Sequence, residues 1–138
     1  MGQQQLLLVI LVTIIVGIAT VVAINTFGSA ADSANVDAVR QDLASMAASA
    51  QGYYMKPGAM GGGGNLFTDI TFENMGGVAC DVGPTSKECN NENGDYEITA
   101  TSADQFTITG TPAQAEGSID IVVTKDGATM GDYTAASS

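Results

Sequence analysis

The chain has no histidine and no tryptophan, and only four of its 138 residues are basic. Histidine is the usual proton carrier near neutral pH and the commonest metal ligand, so its absence removes Ser-His-Asp and Cys-His catalysis. We therefore expect neither an enzyme nor a bound cofactor or metal. The basic residues are scattered along the chain: Arg40, Lys56, Lys87 and Lys125. Nucleic-acid binding needs a concentrated positive surface, so we do not expect that function either.

Cysteine is also scarce, with only Cys80 and Cys89 in the chain. Two thiols without histidine are too few for a structural zinc site. An even pair in a chain with an export-type apolar segment predicts a disulfide formed outside the cytoplasm, and two free thiols of a cytosolic protein are the alternative. A bond between them would close a loop of about ten residues and stabilise the fold by roughly 2–3 kcal/mol in the chain-entropy model.

Residues 6–24 form the most conspicuous feature that is present, an apolar run without a single charge. As a helix, a run of this length spans about 28 Å, close to the hydrocarbon thickness of a bilayer. A cleaved signal peptide is one alternative, but MGQQQ lacks the positive start that such peptides carry. A plain single-pass anchor is a second alternative, which composition does not exclude.

From residue 29 the pattern becomes amphipathic, with apolar side chains at three- and four-residue spacing on one helical face. These are Val36, Val39, Leu43, Met46, Ala47, Ala50 and Tyr54. No proline occurs before Pro57, so we predict one helix over about residues 3–54. Its first half is apolar all round, and its second half can pack on a head domain. Gly28 marks either a bend or a position of close helix packing.

The polar start, the apolar run and the small-residue stretch from Leu43 to Tyr54 resemble the long first helix of the type IV pilin family. In that family a prepilin peptidase removes a short basic leader, and the new first residue is N-methylated. The resemblance implies that Met1 is this residue. It also implies subunit docking through Gln5, where the family usually has Glu. The family's proline near residue 22 is replaced here by Val22.

The resemblance implies a major pilin, inserted in the inner membrane and then polymerised by the pilus assembly machinery into an extracellular helical filament of identical subunits. The apolar face expected to pack in the filament core comprises Leu8, Leu11, Ile14, Ile15, Ile18 and Val22. Two alternatives remain open. One is a pseudopilin of a secretion or DNA-uptake system, and the other is a membrane-anchored monomeric binding module.

The segment after the helix has few regular signals. Pro57 and the glycines at 61–64 predict a flexible connector, because no strand precedes them and no Lys-Ser/Thr follows them as in a phosphate-binding loop. Residues 66–72 predict a short strand or a turn of helix, and residues 75–93 are loop-rich. Residues 90–95 have the oxygen-bearing side chains and glycine of a calcium loop but lack its opening Asp and closing Glu, so we predict an ordinary turn.

Three stretches alternate apolar and polar residues and predict strands at 96–100, 105–109 and 118–123. Their short connections predict an antiparallel meander, with a turn at 125–127 and Tyr133 holding the end. The predicted inward-facing residues are Tyr96, Ile98, Phe106, Ile108, Ile119, Ile121 and Val123. The fold class is therefore α+β and pilin-like, a long helix on a small antiparallel sheet. The predicted segments are 1–28 (membrane or filament core), 29–54 (amphipathic half), 55–94 (connector and cysteine loop) and 95–138 (sheet).

Overall fold

The structure, a computed structural model of the full chain, describes residues 2–135. Its longest element is helix α1, Gly2–Met55, which confirms the helix predicted over residues 3–54. The helix ends just before Lys56 and Pro57, because a proline disfavours helical geometry in the residue that precedes it. The chain divides after Ser33 into two compact units, so α1 contributes to both.

In the described part of the second unit, seven antiparallel strands form the sheet. The strands are β1 (Asp81–Val82), β2 (Glu88–Asn90), β3 (Gly94–Thr99), β4 (Gln105–Pro112), β5 (Gly117–Thr124), β6 (Gly127–Met130) and β7 (Thr134–Ala135). The first six lie in chain order across the sheet, and β7 pairs with β5. This order is the meander that the short connections predict.

The three central strands confirm the alternation read from the sequence. Buried and accessible residues alternate along β3, β4 and β5, as expected for a sheet with one face on a core. In the register, Ile108 of β4 lies opposite both Ile98 of β3 and Ile121 of β5. All seven residues predicted to face inward are buried.

The core of the second unit lies between this face of the sheet and the C-terminal part of α1. The helix buries Val39, Leu43, Met46, Ala47, Ala50 and Tyr53. Helix and sheet approach closely at Gly110 of β4, where an added Cβ would lie 2.8 Å from Val39 Cγ1. The α+β arrangement of a long helix packed on an antiparallel sheet is thus the observed fold.

Some elements differ from those predicted. Strands β1 and β2 lie within residues 75–93, which the sequence predicts to be loop-rich, and β6 and β7 follow the turn at 125–127. These strands have two to four residues, too few for alternation to be recognised. Within residues 66–72 the strand alternative is wrong. A helix, α2 (Phe72–Met75), begins there instead, and Thr71 Oγ1 accepts from the amide of Asn74 at its start.

The glycines at 61–64 fold back on the end of α1 and are not a bare connector. Two amides donate to its last carbonyl groups, Gly63 N to Tyr53 O at 2.8 Å and Asn65 N to Tyr54 O at 2.9 Å. Gly64 N donates to the carbonyl of Lys56, the residue after the helix, at 3.0 Å. A short 3-10 helix, Gly58–Met60, lies between α1 and these glycines, and Gly61 is its C-cap, with the left-handed φ of 83°. A Cβ at Gly62 would collide with the backbone of Lys56, so close approach also favours glycine here.

Candidate functional site

The apolar half of α1 is the largest exposed hydrophobic surface in the described chain. All 14 of its Leu, Ile and Val side chains between residues 6 and 24 are 48–67% exposed. The six residues predicted to pack in a filament core, Leu8, Leu11, Ile14, Ile15, Ile18 and Val22, are among them. A surface of this size on a soluble monomer marks a site of membrane or protein contact.

The same half of α1 is long and apolar enough to cross a membrane. Its most apolar 18-residue window has a mean hydropathy of 3.2, and none of that window is buried. Length and composition therefore support a membrane anchor near the N-terminus. A buried core helix of a soluble protein would have the same hydropathy but would not leave these side chains accessible.

Three threonines interrupt the apolar surface without leaving a free donor. The hydroxyl groups of Thr13, Thr20 and Thr26 donate to the carbonyl oxygens four residues earlier, at 2.7, 2.8 and 2.9 Å. Such back-bonding satisfies the hydroxyl hydrogen within the helix itself. Each threonine can therefore lie in an apolar environment at little cost, which makes the whole run compatible with lipid or with other helices.

Of the two residues predicted to act at the start of the helix, the structure describes Gln5 but not Met1. Gln5 lies in the first turns of α1 and is exposed, so it is accessible to a neighbouring chain. The first turn contains no acidic residue. Met1, predicted to be the N-methylated residue, lies outside the described residues.

The two cysteines form the predicted disulfide. Cys80 immediately precedes β1 and Cys89 lies in β2, with Cα atoms 5.7 Å apart. Cys89 faces the core and is 4% exposed. The bond thus closes the β1–β2 hairpin, whose strands are too short to be held by their ladder alone.

Asp42 joins α1 to the sheet, a role that the sequence did not reveal. Its Oδ2 accepts three side-chain hydrogen bonds: from Asn91 Nδ2 at 2.9 Å, Asn93 Nδ2 at 2.8 Å and Tyr96 Oη at 2.6 Å. Two turns earlier on the helix, Asn35 donates to the carbonyl of Asn93 and accepts from the amide of Gln114. The signal that could have found them is their spacing, because residues seven apart share one helix face at the edge of the apolar stripe.

The surroundings of this carboxylate change the pKa of both partners. Burial of Asp42 raises its pKa, but the hydrogen bonds from Asn93, Tyr96 and Asn91 stabilise the ionised form, and the net pKa lies below 3.8. Burial of the Tyr96 phenol, together with its hydrogen bond to Asp42, raises the pKa of Tyr96 well above its ordinary value. Tyr96 therefore remains a hydrogen-bond donor at any physiological pH, which suits a structural contact.

The segment at residues 90–95 is a turn, as predicted. Asn91 Oδ1 accepts from the backbone amides of Asn93 at 2.9 Å and Gly94 at 3.2 Å, so this oxygen is used within the chain. No group of three or more Cys, Asp or Glu side chains in the described residues is placed to hold a metal ion. The side-chain amide groups of Asn91 and Asn93 in this turn donate to Asp42, so the turn is an attachment point for α1.

The outer face of the sheet, away from α1, is acidic. Asp95 and Glu97 of β3 point to this face, since they alternate with the buried Tyr96 and Ile98. Glu97 lies directly opposite Glu88 of β2. An open groove of about 410 Å³ runs over this face, and we call it the acidic groove; its lining includes Asp81, Glu88, Asp95, Glu97, Thr109 and Thr111. Like charges opposite each other on neighbouring strands are destabilising unless a cation lies near them.

Comparisons with protein-family models, with curated proteins and with solved structures found no match for this chain. The likeness to type IV pilins therefore rests on the residues of the first helix and on the layout of helix and sheet.

Proposed function

We propose that the chain is a structural subunit, a pilin-like protein that polymerises through the apolar half of α1 into an extracellular filament. The observation that carries this proposal is the exposure of every large apolar side chain between residues 6 and 24. No surface of the described head accounts for their burial, because the buried residues of α1 begin only at Val39.

Before assembly a lipid bilayer satisfies this surface, and the subunit is held as a membrane protein. After extraction, the same segments of other subunits are the chemically equivalent partner. Relative to exposure in water, apolar burial contributes about 25 cal/mol per Å², and 14 side chains per subunit are available for this contact. A repeated contact that does not close on itself gives a helical fibre.

The head is suited to the outside of such a fibre. All 15 acidic residues follow residue 31, so the apolar segment is free of charge and the head carries the solubilising charge. The Cys80–Cys89 disulfide fits an extracellular location. In the described head no His-based catalytic group exists, and the structural role needs none.

Electron microscopy of surface-expressed protein tests the proposal, with Ile14→Asp against the matched control Ile14→Leu. A carboxylate in an apolar fibre core is unpaired and costs several kcal/mol, whereas leucine keeps the volume and polarity of the site. We expect filaments from the wild type and Ile14→Leu and none from Ile14→Asp. Membrane-bound but unpolymerised wild-type protein would instead favour the monomeric anchor.

A further inference from the structure

The head carries a second exposed surface with a composition unlike the rest of the molecule. Residues 43–68 contain no Asp or Glu and one basic residue, Lys56, in a chain of net charge −11. In the described head, three of the most exposed large apolar side chains lie in this stretch: Met55 at 74%, Met60 at 68% and Leu66 at 48%. We call Met55, Lys56, Met60 and Leu66 the helix-end patch.

The glycines at 61–64, which fold back on the end of α1, place the residues of the helix-end patch near one another along the backbone. The amide of Gly64 donates to the carbonyl of Lys56 at 3.0 Å, and the amide of Leu66 donates to the carbonyl of Gly63 at 3.2 Å. Residues 55–66 therefore fold back on the end of α1 and do not extend away from it. Exposed apolar side chains and one lysine therefore lie near the end of α1, and exposed methionines beside a cation are common at protein contact sites.

We propose that the helix-end patch of one subunit docks into the acidic groove of another copy of the chain. This inference rests on the proposed filament and names the contact between its heads. The groove offers four carboxylates from Asp81, Glu88, Asp95 and Glu97, none of its described lining residues is basic, and the patch offers a cation. Lys56 placed near Glu88 and Glu97 relieves the repulsion between these two opposed carboxylates.

The sizes and surfaces of the two sides are also compatible. A groove of about 410 Å³ is within the range that encloses a small ligand, so it can receive a lysine side chain and a neighbouring methionine. Two different surfaces on one chain make a heterologous contact, which propagates along a fibre.

A charge-swap series on the full chain tests the docking. Lys56→Glu places a fifth carboxylate at the groove, and we expect the yield of sedimentable filaments to fall about tenfold or more. Lys125→Glu makes the same charge change at an exposed lysine outside the patch, and its filament yield should stay at the wild-type level. Combining Lys56→Glu with Glu88→Lys and Glu97→Lys should restore assembly, because the charges are then reversed on both sides.

The rescue separates a second copy from other partners. If the patch contacted an anionic lipid surface, Lys56→Glu would reduce assembly but the groove substitutions would not restore it, and the docking would be wrong. Filaments of Lys56→Glu equal to wild type, or equal losses from Lys56→Glu and Lys125→Glu, would also overturn it.

Chemical crosslinking detects the contact between the helix-end patch and the acidic groove even when no filaments form. Unlabelled and ¹⁵N-labelled full-length protein are mixed in detergent, returned to membranes and treated with a zero-length carbodiimide. We expect mixed-isotope peptides that join Lys56 to carboxylates of the acidic groove, and same-isotope peptides alone would refute docking between copies. If the wild type formed no filaments in electron microscopy but mixed-isotope crosslinks appeared, the proposed filament would be wrong and the docking between copies would stand. Normal wild-type filaments without these crosslinks would mean that the filament proposal stands and the docking is wrong.

Discussion

The phenolic oxygen of Tyr96 lies 2.6 Å from Oδ2 of Asp42, and this hydrogen bond links the central sheet to the long helix. Tyr96 is 1% exposed, so its hydroxyl group has no ready access to water if the carboxylate is removed. Oδ2 of Asp42 also accepts hydrogen bonds from the side-chain amides of Asn91 and Asn93, which brings the turn before β3 onto the helix. One carboxylate thus positions two separate parts of the head.

The first prediction concerns this contact. Tyr96→Phe removes one donor and should lower the free energy of unfolding by about 1–2 kcal/mol. Asp42→Ala removes the acceptor of three hydrogen bonds and should cost about 2–3 kcal/mol, although Asn91 Nδ2 keeps its second acceptor, the carbonyl of Ala79. Chemical unfolding of the full chain in detergent, followed by near-ultraviolet circular dichroism, measures both. Asp37→Ala, an exposed aspartate on the same helix, is the control and should change stability by less than about 0.5 kcal/mol. Equal effects at positions 37 and 42 would contradict the network.

The second prediction is a pH dependence. The pKa of Asp42 in the folded chain lies below its ordinary value of 3.8, so ionised Asp42 favours the folded state above about pH 4. This stabilisation is lost as the pH falls through the lowered pKa, where the carboxyl is protonated in both states. Asp42→Asn cannot ionise, so the stability difference between wild type and variant should shrink from neutral pH toward about pH 3.

Unfolding titrations of the wild type and Asp42→Asn at several pH values measure this difference. The other carboxyl groups titrate in both proteins, so their contribution cancels in the comparison. A stability difference that stayed constant from neutral to acid pH would show that the charge of Asp42 is not what holds the contact.

The third prediction tests the close approach of helix and sheet at Gly110. Gly110→Ala places a Cβ 2.8 Å from Val39 Cγ1 and 3.2 Å from Leu43 Cδ1, inside a closely packed core. We expect a loss of about 1–3 kcal/mol, the usual cost of overpacking. Gly127→Ala is the matched control, since its added Cβ would meet no atom within 4 Å. Thermal unfolding should therefore separate the two alanine variants, and similar midpoints would place the helix further from β4.

The elements that could be predicted from sequence are those with a long regular pattern. Helix α1 has apolar spacing over many turns, and β3, β4 and β5 each contain alternation long enough to define a face. The apolar run of residues 6–24 and the cysteine pair were equally visible, because composition alone marks them.

What could not be predicted depends on contacts between distant residues. Asp42 meets partners that lie 49 to 54 positions away along the chain, so its spacing from Asn35 places it on the head-facing side of α1 but does not reveal which groups it binds. The glycines at 61–64 resemble a linker in composition, and their hydrogen bonds to the end of α1 become visible only in three dimensions. Strands β1 and β2 are short. They are defined by the pairing of β1 with β2, the pairing of β2 with β3 and the disulfide more than by their own residues.

The last prediction tests the membrane-spanning role of α1 apart from polymerisation. Ile15 lies at the middle of residues 6–24, and an aspartate at the centre of a spanning helix costs about 2.5–3.5 kcal/mol of insertion. Ile15→Asp should therefore shift protein from the carbonate-resistant membrane fraction to the soluble fraction. Ser29→Asp adds the same charge beyond the apolar run, where polar headgroups and water accept it, and it should leave the membrane fraction unchanged. Equal extraction of the two variants would mean that residues 6–24 are held by protein contacts and not by lipid.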